Sequence, residues 1–85
     1  GLHDIMVYPN PAHARATLEF DADKEGNAKL IIYDLTGREM QSTAFRMEAG
    51  KNGIELNLSN LPQGIYLVVV QGADDSMARV NIVVE

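Results

Sequence analysis

Asp21, Asp23 and Glu25 alternate along the chain and are followed by Gly26. Carboxylates at alternate positions before a glycine turn are how a calcium loop begins, because they can wrap a hard cation. The bidentate Glu that closes such a loop would fall at Ile32, inside an apolar run, and no helix flanks the segment. The stretch therefore reads as a solvated acidic hairpin turn. His3 and His13, the only histidines, are expected in loops without a second ligand at metal spacing. A hydrolytic nucleophile needs a hydroxyl beside a base, and a third group to orient that base. Ser42, Ser59 and Ser76 have no such partner in sequence. No glycine-rich phosphate loop precedes a helix, since no helical period occurs. No catalytic, metal or cofactor-binding residue is assigned, and an enzyme is not expected.

The elements around these residues are strands. The central one is Ile65–Val70, an unbroken run of β-branched, leucine and aromatic residues, expected to be buried on both faces. It follows a corner, Leu61-Pro62-Gln63-Gly64, in which Pro62 fixes its own φ and Gly64 is free to take a positive φ. The Leu-x-x-Gly-x-Tyr spacing matches a tyrosine corner, where a Tyr early in a strand bonds its hydroxyl to backbone upstream. Tyr66 is the candidate, with Leu61 as the apolar plug; the alternative is an ordinary core Tyr after a turn.

In chain order, Gly1–Asp4 has no pattern and is expected to be loose. Ile5–Tyr8 is a short strand ended by Pro9-Asn10-Pro11, where two missing donors suit a sheet edge or a crossing. Ala16–Phe20 alternates inward and outward. Ala28–Leu35 is apolar on both faces and is closed by the Asp34-Leu35-Thr36-Gly37 hairpin. Arg38–Met47 is polar and reads as an edge strand, with Met40 and Phe45 as its apolar contacts. Ala49–Gly53 is a glycine-rich turn, and Ile54, Leu56 and Leu58 form a half-buried strand. Gln71–Ser76 is a hairpin loop. Ala78–Val84 is the last strand, with Val80, Ile82 and Val84 inward and Arg79 and Asn81 outward; it should pair with the central strand. About seven short strands at this spacing predict an all-β, immunoglobulin-like antiparallel β-sandwich forming one domain over residues 1–85.

Composition narrows the partners. Net charge is −5 and the acidic residues are scattered, which disfavours nucleic acid and anionic membranes. No run approaches the ~20 apolar residues of a membrane span. There is no Cys, so neither a disulfide framework nor a thiolate zinc site is available. What remains is exposed β surface: edge strands with Met40, Phe45 or the terminal Val83-Val84 suit partner binding by strand addition or by an apolar patch, or a homodimer through an edge strand.

Three segments in order carry a resemblance. Tyr8-Pro9-Asn10-Pro11, Ile32-Tyr33-Asp34-Leu35-Thr36-Gly37-Arg38, and Leu58-x-x-Leu61-Pro62-x-Gly64-Ile65-Tyr66-Leu67-Val68 with a last apolar strand resemble the type A C-terminal sorting domain of the type IX secretion system. The resemblance spans Ile5 to Val84 and implies an immunoglobulin-like fold and a signal role. It implies a parent exported by a Gram-negative bacterium, with an N-terminal export signal outside this sequence. It further implies a passage through the periplasm to the cell surface. The implied partners are the outer-membrane translocon, a shuttle protein and a cell-surface sortase that removes the domain just upstream of it. By position, Pro9, Asn10 and Pro11 match the first motif, Asp34 and Gly37 the second, and Gly64 and Tyr66 the third. The terminal strand, Arg79, Val80, Asn81, Ile82, Val83 and Val84, corresponds to the core of the signal. Many members end on a basic residue; this chain ends Val84-Glu85. An alternative is a fibronectin-like or carbohydrate-binding accessory module, with Tyr8 and Tyr33 as the only stacking candidates.

Overall fold

The computed structural model describes residues 1–85. Seven strands account for most of the chain: β1 (Leu2–Tyr8), β2 (Arg15–Ala22), β3 (Gly26–Tyr33), β4 (Glu39–Met47), β5 (Gly50–Asn57), β6 (Gly64–Gly72) and β7 (Met77–Val84). They form two antiparallel sheets, β1-β2-β5 and β4-β3-β6-β7, in an immunoglobulin-like sandwich without a helix.

Alternation decides which residues fill the space between the sheets. Ala16, Leu18, Phe20 and Ala22 of β2 face Leu30 and Ile32 of β3 and Tyr66, Val68 and Val70 of β6 across the core. Phe20 is the largest fully buried side chain, and its ring meets the edge of Phe45 at a centroid distance of 6.2 Å. No polar or charged residue is buried. The core therefore coheres by apolar burial alone, and specificity rests on the strand ladders and corners.

Four local expectations are corrected. β1 begins at Leu2, not Ile5, because Leu2 and His3 pair with Ala22 and Asp21. A bulge between His3 and Met6 hides the alternation that would have revealed this strand in the sequence. The acidic segment at 21–25 is not a hairpin: β2 and β3 lie in different sheets, so the chain crosses the sandwich there. Gly64 does not use a positive φ; only Gly37 and Gly50 among the glycines do. Finally, β6 faces the core on one side only. Tyr66, Val68 and Val70 belong to the core cluster, while Ile65 on the other face is 46% exposed. A two-layer sandwich has no third layer to cover that face.

Strand register divides the molecule into two ends. Tyr33 pairs with Leu67, and Leu67 with Asn81. The β3–β4 hairpin, the corner before β6 and the end of β7 therefore share one end. Tyr8 pairs with Thr17, and Arg15 with Asn57, so the segment after β1 lies at that end too. The opposite end gathers Leu2, the β2–β3 crossing and the β6–β7 hairpin.

Candidate recognition site

The terminal strand is built into the sandwich from both sides. On one side it pairs with β6 along its whole length, from Gln71–Met77 to Gly64–Val84. On the other side, the proline segment covers half of its free edge. The Asn10 carboxamide acts there as a piece of backbone: its Oδ1 accepts from the Val83 N–H at 2.9 Å, and its Nδ2 donates to the Asn81 carbonyl at 3.1 Å. Ala12 continues the pairing. Its N–H donates to the Val83 carbonyl, and its carbonyl accepts from the Glu85 N–H, both at 2.8 Å. Pro9 and Pro11 cannot donate, so the side chain between them supplies a donor, with an acceptor beside it. Both X–Pro bonds are cis.

The two faces of β7 differ. Ile82 and Val84 are buried in the core and Val80 is partly buried. Arg79 and Asn81 are exposed, as expected, and Val83 is half-buried on the outer face. The proline segment closes the β7 edge from Asn81 onward. Pairing between copies has only the Met77–Val80 half of that edge open.

Replacing Asn10 by Ala tests this latch. It removes two hydrogen bonds at a partly wet edge, an expected cost of about 1–2 kcal/mol. For a chain of this size that lowers the melt by roughly 5–10 °C. The Val83 amide should exchange faster with solvent while the Val68 amide stays protected. Unchanged protection at Val83 would show that Asn10 does not hold the edge.

The middle motif is a turn fastened by one carboxylate. Asp34 Oδ1 accepts from the Thr36 hydroxyl at 2.6 Å, the Thr36 N–H at 2.9 Å and the Arg38 N–H at 3.0 Å. Gly37, with φ of +87°, completes the turn. Bonds from Thr36 and then Arg38 favour the charged form and hold the Asp34 carboxyl below its ordinary value. A depressed folded-state pKa stabilises the fold above the unfolded value of about 3.9, and that contribution is lost as pH falls through the folded value. The stability gap between the parent and Asp34→Asn should therefore be full at neutral pH and shrink below about pH 4. A gap independent of pH in paired melts would remove the charged carboxylate from the account.

The third motif is a tyrosine corner. Tyr66 is buried, and its hydroxyl donates to the Pro62 carbonyl four residues upstream. Leu61 is buried in the same core. Gly64 starts β6, and an added Cβ would make only ordinary contact with the Tyr66 ring at 3.8 Å. Its need for glycine is not steric.

Other candidates are redistributed. His3 lies in β1 and not in a loop; the bulge sets its ring with the Asp4 and Asp21 carboxylates, their ligand atoms within 4.8 Å, all three residues accessible to water. His13 is in a loop, with Nδ1 3.3 Å from the Glu85 carbonyl. The Ser59 and Ser76 hydroxyls bond Asn57 and Asp74, each two residues back, as turn fasteners. Tyr8 and Tyr33 point outward from different sheets, so they cannot form one stacking platform for a sugar. Tyr8 instead donates to the Glu19 carboxylate, which pushes its phenol up from the ordinary value.

The sequence did not signal the role of Ala12 or the double bond of Asn10. A single Asn between two prolines, carrying one donor and one acceptor where its neighbours have no N–H, was the available clue. The structure thus brings all three motifs and the chain's last strand to one end of the sandwich.

The chain matches the family model described as the secretion system C-terminal sorting domain over residues 6–85. No curated protein matches it. No helix is long and apolar enough to cross a membrane. With its motifs gathered around an anchored terminal strand, the chain belongs to the type IX secretion system C-terminal sorting domain family and is a sorting signal that engages that machinery to bring a protein to the cell surface or the medium.

Proposed function

We propose that this domain acts as a folded address, read as a shape while its cargo waits in the periplasm. The outer-membrane translocon recognises it, a shuttle protein receives the cargo, and a cell-surface sortase then removes the domain. One observation supports this reading above the rest. Pro9, Asn10, Pro11, Asp34, Gly37, Gly64 and Tyr66 come from three distant stretches, yet they sit at the end of the sandwich where the terminal strand finishes. A linear peptide signal would not need them there. The work of these residues is to present Arg79–Val84 in one conformation.

The test is a reporter with its own inner-membrane export signal, fused upstream of this domain in a type IX-competent cell. Surface delivery is expected, and it should vanish in a translocon mutant. Reporter that stays in the periplasm of the competent cell would sink the proposal. Sortase action is read separately: a sortase mutant should keep the domain attached to delivered reporter.

A further inference from the structure

Six asparagines occur in the chain, and the residue after each decides how readily its side-chain amide is lost. Asparagine deamidates when the next backbone nitrogen attacks its Cγ, so a bulky neighbour slows the reaction and glycine leaves it open. Asn10 is followed by Pro11, which has no N–H to give up. Asn27, Asn57, Asn60 and Asn81 are followed by Ala28, Leu58, Leu61 and Ile82, each with a side chain beside the attacking nitrogen. Asn52 alone is followed by a glycine, Gly53. By local chemistry it is the most labile amide in the chain.

The fold holds that same amide shut. β4 ends at Met47 in one sheet and β5 begins at Gly50 in the other, so Glu48 and Ala49 carry the chain across the sandwich. The Asn52 carboxamide ties this crossing down. Its Oδ1 accepts from the Glu48 N–H at 2.9 Å, and its Nδ2 donates to the Glu48 carbonyl at 2.9 Å and the Gly50 carbonyl at 3.1 Å. Three hydrogen bonds fix the side-chain torsions. The main chain is fixed as well, since Asn52 and Gly53 pair with Phe20 and Glu19 of β2. In an antiparallel strand ψ is about +135°, which swings the Gly53 nitrogen away from the Asn52 Cγ; closing a five-membered ring needs ψ of the opposite sign. Reaction therefore requires the side-chain bonds and the local strand pairing to open together.

We propose that Asn52 is a deamidation site that folding closes and unfolding opens, and that its isoaspartate product keeps the chain from refolding. The Gly53 nitrogen, its proton taken by hydroxide, bonds to the Asn52 Cγ. The Cγ–Nδ2 bond breaks, and ammonia leaves with a proton from water, which restores the hydroxide and gives a succinimide. Water then opens the ring. Cleavage between Cγ and the nitrogen gives aspartate. Cleavage at the main-chain carbonyl gives isoaspartate, whose backbone runs through the side chain and is one carbon longer. Aspartate keeps the acceptor for the Glu48 N–H, loses both donors, and turns a carboxylate toward the Glu48 and Gly50 carbonyls. Isoaspartate lengthens β5, so that Ile54 and Leu56 no longer stand opposite Leu18 and Ala16. Leu56 is buried in the core, which cannot close around a displaced strand. Time spent unfolded is thereby recorded in the covalent chain.

Peptide mapping by mass spectrometry tests this on the purified domain, held at one mildly alkaline pH in buffer and in concentrated guanidinium chloride. In denaturant the Asn52 peptide should convert before the other asparagines, and at least about tenfold faster than in the folded domain, which reacts only through openings. Equal rates in the two conditions, or another asparagine converting first, overturn the site. Gly53→Ala checks the attacking nitrogen. The new Cβ meets nothing within 4 Å and the backbone there has no positive φ, so the variant should melt close to the parent. Its conversion in denaturant, a readout that does not need the variant to fold, should slow severalfold; unslowed conversion overturns the mechanism. Aged chains are then returned to buffer. The fraction that regains the cooperative melt should fall in step with isoaspartate, and Asn52→Asp, made directly, should melt roughly 5–10 °C below the parent. Isoaspartate-bearing chains that refold to the parent melt overturn the block to refolding, and an Asn52→Asp melt equal to the parent's overturns the tie.

Discussion

Removal of Val80–Glu85 is expected to abolish the cooperative unfolding transition. The deleted residues include Ile82 and Val84, both buried in the core and each contributing about 2 kcal/mol by apolar burial. They also cover Tyr66 and Val68, their register partners and neighbours on β6. With β7 cut back, β6 becomes an edge strand and the Asn10–Ala12 segment loses every partner it has on β7. A chain of this length has roughly 4–13 kcal/mol of total stability, so the combined loss removes most or all of it. Circular dichroism and calorimetry should show a broad, non-cooperative signal. A sharp melt near the parent temperature would mean that the terminal strand hangs on the fold without supporting it. The result also bears on sorting. Because the terminal strand is part of the core, a truncated cargo would lose the folded domain as a whole, and its failure to be sorted would not by itself identify that strand as the part that is read.

Phe20→Ala is the second large effect. Phe20 lies on β2 between the sheets, 1% exposed, and is the largest fully buried side chain. The ring beside it, Phe45, is held on edge strand β4, and Tyr66 is tied to the Pro62 carbonyl. Truncation leaves a cavity and costs roughly 3–5 kcal/mol. At about 4–8 °C per kcal/mol, the melt drops by ~12 °C or more. Phe45, half-buried on edge strand β4, provides the comparison: Phe45→Ala should cost clearly less, because water already reaches one side of it. Equal losses in the two variants would show that the centre of the sandwich is not where Phe20 sits. Delivery should follow stability in both.

The sequence carried most of the strand plan. Alternation in Ala16–Phe20 and in Val80–Val84, and the turn chemistry of Asp34–Gly37, are local properties, and a local reading recovers them. The corner before Tyr66 was legible for the same reason: a hydroxyl four residues from its carbonyl acceptor needs no distant partner. The β1 start was not legible, because a bulge breaks the period-2 pattern that defines a strand. The glycine-rich turn at 49–53 also proved to contain the start of β5, whose pairing with β2 places Gly50 opposite Ala22.

Sequence by itself determined that this chain forms short antiparallel strands, that β6 is apolar on both sides, and which family motifs it bears. Only tertiary structure decided which face of β6 the core takes, with Ile65 on the other face left 46% exposed and Val69 shielded by its neighbours. It alone decided that Asn10 fastens a strand more than seventy residues away. The physical reason is the range of the interactions. Propensity, alternation and turn chemistry act over a few residues and are written locally. Burial and edge pairing depend on what lies across the sandwich, and the strand partner that settles each is set by the closure of the whole chain.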